Sequence, residues 1–150
     1  MNNKFRYILI VAHLFCAVTL SAAPKTVLNW VSTFVANGEA GLEISLSNRV
    51  DFKESVGQSP PKITLTFPKT SLAQDNFTRT TNVSPLMRLS VKKNPQDEDE
   101  VIVEMLFSKI PQYTTQWLGT IYYWCPGLKS EKEKLHAAGI DVQICQVPSV

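Results

Sequence analysis

From Lys25 to Trp124, apolar and polar residues alternate with a period of two in stretches of about five to nine residues, set apart by Pro, Gly, Asn and Asp. A strand turns successive side chains to opposite faces, so this pattern buries one face and wets the other. In Gly41–Leu46 the residues Leu42, Ile44 and Leu46 share one side, and Glu43 and Ser45 the other. Ile63-Thr64-Leu65-Thr66-Phe67 repeats the arrangement until Pro68, which has no N–H for a ladder. Thr26–Val35 precedes the turn pair Asn37-Gly38. Val50–Glu54, Leu86–Val91, Val101–Phe107, Tyr113–Trp117 and Thr120–Trp124 read as further strands. Lys69–Ser84 reads as a surface connection with at most a small strand, Pro60-Pro61 as a block to pairing, and Lys92–Glu100 as a polar turn. The expected fold is mostly β, an antiparallel β-sandwich with Trp30, Phe34, Phe67, Phe107, Tyr113, Trp117, Tyr122 and Trp124 in its core.

After Pro126-Gly127 the pattern changes. Ser130-Glu131-Lys132-Glu133 is a capping box, and Gly139 suits the left-handed position after a helix end. A C-terminal helix to about Ala138 and a final strand over Ile140–Val147 are therefore expected. A strand, helix and strand in succession make a right-handed crossover with the two strands parallel, and if they are neighbours Cys125 and Cys145 can meet.

The other end of the chain has a different logic. Lys4 and Arg6 precede the apolar run Tyr7–Leu20 and the small residues Ser21-Ala22-Ala23, the order of a secretory signal peptide. The expected division is a signal peptide over 1–23, a β-sandwich over 24–124 and an extension over 125–150. An apolar run of about fourteen residues spans roughly 21 Å, short of a hydrocarbon core near 30 Å, so no stable membrane span is expected after cleavage. Cleavage removes Cys16 and leaves Cys125 and Cys145, which an oxidising compartment favours as a disulfide. Trp124-Cys125-Pro126 has the edge of a thioredoxin-type site, but Leu128 stands where the second cysteine belongs.

The whole chain carries 15 basic and 13 acidic residues, and the excess lies in Lys4 and Arg6. No basic stripe offers itself to phosphates, so nucleic acid is not an expected partner. One histidine in the mature chain, His136, and two paired cysteines make no zinc site. No phosphate loop, nucleophile elbow or HExxH string occurs, and neither a cofactor nor a metal is expected. Asp97-Glu98-Asp99-Glu100 lacks the spacing and Gly of a calcium loop. Glu43, Glu54 and Glu104 fall on polar strand faces or edges and read as solvent-facing, so the chain is expected not to be an enzyme.

The stretch Asn37–Leu46, followed by Val50-Asp51-Phe52-Lys53 and by Pro60-Pro61-Lys62-Ile63-Thr64-Leu65-Thr66-Phe67-Pro68, resembles the AMIN domain. Met87–Val91, Val101–Leu106 and Ile110-Pro111-Gln112-Tyr113 look like its second half. The resemblance covers about residues 26–124 and lacks the Asp that the family usually carries where Thr66 stands. It implies a periplasmic β-sandwich that targets cell-wall amidases or type IV pilus secretins to peptidoglycan. The chain is accordingly expected to be a non-catalytic exported module, periplasmic or else extracellular, that binds peptidoglycan or an envelope protein such as an amidase or secretin. Arg49, Arg88 and Lys92 are the candidate contacts to wall carboxylates. The rival expectation is a secreted disulfide-stabilised interaction protein, an effector or secretion-system subunit, offering a sheet edge to another protein.

Overall fold

A computed structural model describes residues 24–36 and 38–127. The expected signal peptide, the C-terminal helix and final strand, and Cys145 lie outside the described residues. Among the described residues ten strands run in the order β1 (Thr26–Ala36), β2 (Glu39–Leu46), β3 (Lys53–Gln58), β4 (Pro61–Phe67), β5 (Thr70–Leu72), β6 (Phe77–Thr80), β7 (Leu86–Asn94), β8 (Asp97–Phe107), β9 (Tyr113–Leu118) and β10 (Ile121–Pro126). They form two five-stranded sheets, β5-β1-β2-β10-β9 and β3-β4-β8-β7-β6. Nearly all pairs are antiparallel, but β5 runs parallel to β1, a departure from the purely antiparallel sandwich.

The alternating aliphatics meet between the sheets. Leu42, Ile44, Leu46, Tyr122 and Trp124 from the first sheet join Ile63, Leu65, Phe67, Val101, Val103, Met105 and Phe107 from the second in one buried cluster. Each such side chain taken fully out of water contributes roughly 1.5–3 kcal/mol. Phe52 closes one end of the sandwich, its ring 5.0 Å from Phe67 and 4.9 Å from Tyr122.

Several expectations need correction. Pro60-Pro61 does not block pairing, because Pro61 opens β4 opposite Gln58 in the hairpin with β3. The third strand lies at Lys53–Gln58, three residues later than the alternation places it. The connection over 69–84 holds two short strands, of which β5 bonds β1 and β6 bonds β7. The polar turn after Val91 contracts to its tip, since β7 and β8 stay paired to Asn94 and Asp97. Trp30 is not core: it is 36% exposed, on the outer face of the first sheet.

Trp30 is displaced by a β-bulge. Leu28 pairs with Leu46 and Trp30 with Ser45, so one extra residue sits in β1 and the inward positions become Leu28 and Val31. A bulge of this kind inverts which side chains face the core.

Candidate functional site

The candidate site lies on the outer face of the second sheet, just past a second bulge. In β7, Leu86 pairs with Phe107 and Arg88 with Leu106, leaving Met87 as the extra residue. Leu86 and Leu89 both reach the core, three positions apart. Past the bulge, Arg88, Ser90 and Lys92 all point to the outer face of the second sheet, opposite the buried Leu89 and Val91.

Three register rows cross that face. Ser55, Thr64, Glu104, Ser90 and Thr78 form a central row of hydroxyls around one carboxylate. Lys62, Leu106, Arg88 and Thr80 form the row on one side, and Lys53, Thr66, Ile102 and Lys92 the row on the other. These rows carry the cations Lys53, Lys62, Arg88 and Lys92 against the single carboxylate of Glu104. A groove of about 240 Å³ runs between Pro60, Lys62, Thr78, Arg88, Ser90 and Glu104.

Glu104 organises the cations beside it. Lys92 Nζ donates to its Oε2 at 2.9 Å, and Lys62 Nζ to its Oε1 at 3.4 Å. The hydrogen bond from Lys92 holds the Glu104 carboxyl below its usual range, against an opposing push from partial burial, and the charges of Lys92 and Lys62 add to the lowering. Thr78 and Ser90 hydroxyls bond each other at 3.1 Å. Arg88 takes no part in the ion pairs that tie Lys62 and Lys92 to Glu104.

The three candidate contacts do not converge. Arg88 and Lys92 share the groove face, four positions apart on β7. Arg49 lies elsewhere, in the crossing from β2 to β3, where its Nε donates to the Gly119 carbonyl at 2.6 Å and its guanidinium sits 5.5 Å from the Trp117 ring centre. It pins that crossing to the β9–β10 turn. Lys62 and Glu104 belong to the site although the sequence reading passed over Lys62 and left Glu104 in solvent. Alternation in β4 and β8 places both opposite core residues, but only the β4–β8 register, with Thr64 opposite Glu104, brings them together.

The other carboxylates are engaged elsewhere. Tyr123 Oη donates to Glu43 Oε1 at 3.2 Å, and the Tyr113 hydroxyl donates to Glu54. Burial first, then the Glu54 bond and charge, push the Tyr113 phenol from 10.0 up to about 12. In the acidic run, Asp99 pairs with Lys25 and Glu100 accepts from Asn94. Among the described residues no cluster of three or more His, Cys, Asp or Glu is placed to hold a metal ion. No helix among them is long and apolar enough to cross a membrane. The chain matches no family model, no curated protein and no solved structure.

Proposed function

We propose that this chain is a non-catalytic exported module that binds the anionic peptides and sugars of the bacterial cell wall across the outer face of its second sheet. The observation that carries this reading is the grouping of Arg88, Lys62 and Lys92 around Glu104, within rows of hydroxyls on an open face. A peptidoglycan strand is an extended polymer of hydroxyl-rich sugars with short carboxylate-bearing peptides. A broad polar sheet suits such a ligand better than a closed pocket does. Arg88 offers a planar fork that takes a carboxylate through two parallel hydrogen bonds. Lys62 and Lys92, held by Glu104, present their remaining N–H donors outward at fixed positions. The Thr78, Ser90 and Thr64 hydroxyls meet sugar hydroxyls in the same plane. The likeness of residues 26–124 to the AMIN domain points to the same class of ligand and to the periplasm.

Co-sedimentation with purified sacculi tests the reading. The wild type is expected to bind at low salt and to release as ionic strength rises, because exposed charges are screened beyond about 10 Å at 0.1 M. Lys62→Ala/Arg88→Ala is expected to lose binding without a change in melting temperature. Arg49→Ala, which lies outside the groove, is expected to bind as the wild type does. Absence of wild-type binding at every salt concentration overturns the proposal.

A second reading rests on β3. All six of its residues are exposed, Val56 by 47%, and among the described residues it ends the second sheet with one backbone edge unpaired. Such an edge accepts a strand from a protein partner, which would make the chain an interaction protein of the envelope or of a secretion system.

A further inference from the structure

The groove of the second sheet is chemically uneven along its length. Lys62, Leu106 and Arg88 lie in one register row on β4, β8 and β7. With strands about 4.8 Å apart, the two cations rise roughly 10 Å from each other, on either side of the half-buried Leu106. In the next row Glu104 stands beside Ser90 and Thr78. A strip of apolar surface between two cations is thus followed, two residues along β8, by a carboxylate flanked by hydroxyls.

The charges there are unequally committed. Lys92, outside the groove lining, holds Glu104 Oε2 at 2.9 Å, whereas Lys62, inside it, reaches Oε1 only at 3.4 Å. The Arg88 guanidinium has no ion-pair or hydrogen-bond partner among the described residues. Lys62, Lys92 and Arg88 around the one carboxylate of Glu104 leave the groove positive, so it suits an anion. A carboxylate has about four acceptor sites, and the two lysines occupy two of those on Glu104, which leaves room for an N–H donor. The volume of about 240 Å³ lies below the roughly 300–1,000 Å³ of pockets that enclose a drug-sized ligand, so the groove holds one end of a chain and not a disaccharide.

Resting on the wall-binding reading of this face, we propose that the groove is a subsite for the free end of a wall stem peptide. The α-carboxylate lies between Arg88 and Lys62, the amide N–H of the same residue donates to Glu104, and a small apolar side chain rests on Leu106. A terminal residue carries its N–H and its carboxylate on one carbon, so it presents donor and acceptor side by side, as the groove presents Glu104 beside Lys62. A side-chain carboxylate has its N–H farther off, and a sugar hydroxyl brings no charge to Arg88. The guanidinium takes the carboxylate through two parallel N–H donors, and Lys62 turns from its long Glu104 contact to the same anion.

Amide chemical-shift titration of the full chain with N-acetyl-D-alanyl-D-alanine and with its C-terminal carboxamide tests the subsite. The acid is expected to shift Lys62, Arg88, Glu104 and Leu106 in a salt-sensitive way, and the carboxamide, which keeps the shape without the charge, to shift none of them. Arg88→Ala is expected to weaken the acid by at least about tenfold. Arg88→Lys should recover part of that loss, because it restores the charge without the fork. Arg49→Ala should change nothing. Equal shifts from acid and carboxamide, shifts placed elsewhere, or no saturable shift from either at millimolar concentration overturn the proposal. Sacculi whose peptides have been removed enzymatically keep the two readings apart. The wild type is expected to bind intact sacculi and not the stripped ones; equal binding to both overturns the peptide subsite and leaves the wall-binding reading standing. Binding of the acid without binding to any sacculi overturns the wall peptide as the occupant, and the groove then takes the C-terminus of a protein.

Discussion

The two sheets share one core and differ on their outer faces. The first sheet turns out Phe34, Tyr123, Cys125 and Ile121, grouped in a buried cluster of their own. The second turns out Lys62, Thr64, Ser90, Lys92 and Glu104, partly wetted and joined by ion pairs and hydroxyls. A face whose tyrosine is withdrawn from water is a packing surface, and its substitutions act on stability. A face of cations and hydroxyls left in solvent contributes little to folding, because exposed ion pairs are worth about 0–1 kcal/mol. Its side chains are therefore available for a ligand.

Substitutions separate the two faces by size of effect. Cys145→Ser is expected to cost about 3 kcal/mol, the value for a closed loop of about twenty residues, while salt-sensitive wall binding survives. Chemical denaturation beside sacculus binding checks both halves; lost binding at unchanged stability would contradict a purely stabilising role for the bond. Gly41→Ala is expected to cost about 1–3 kcal/mol, because the new Cβ meets the Phe34 ring at 2.4 Å and the ring must lift. Combining it with Phe34→Leu should recover part of that loss, since the residues are in contact.

Titration adds a smaller difference. The Tyr113 phenol, raised from 10.0 to about 12, stabilises the fold fully below pH 10, and that contribution is lost as the pH climbs through 12. Tyr113→Phe should flatten the alkaline limb of a stability-against-pH curve. Glu104 shifts the opposite way. Its lowered carboxyl stabilises above its ordinary value of 4.5, and the contribution disappears as pH falls below that value. Glu104→Gln should remove this acid limb at a cost under about 1 kcal/mol, since the pair is solvent-screened. Arg88→Ala has the smallest expected effect on stability, within about 0.5 kcal/mol, and is read in binding alone.

The core was legible because its aliphatics fall two apart: Leu42, Ile44 and Leu46, or Ile63, Leu65 and Phe67, and all of these are buried. What escaped the sequence reading has two physical causes. Bulges at Asn29 and Met87 change parity inside a strand, which sends Trp30 out of the core and brings Leu86 into it beside Leu89. Register between distant strands carries no local signal. Nothing near Lys62 announces Glu104, and Arg49 is committed to Gly119 by a contact seventy positions along the chain. The grouping of Arg49 with Arg88 failed for that reason, and Lys62 replaces it.

The account turns on which outer face meets the ligand, and amide chemical-shift mapping of the oxidised full chain with a soluble disaccharide-peptide wall fragment reads this directly. The expected result is salt-sensitive shifts concentrated at Lys62, Thr64, Thr78, Arg88, Ser90 and Glu104, with Trp30–Phe34 and Ile121–Cys125 unmoved. Shifts confined to β1 and β10 would contradict the assignment of the second sheet as the binding face.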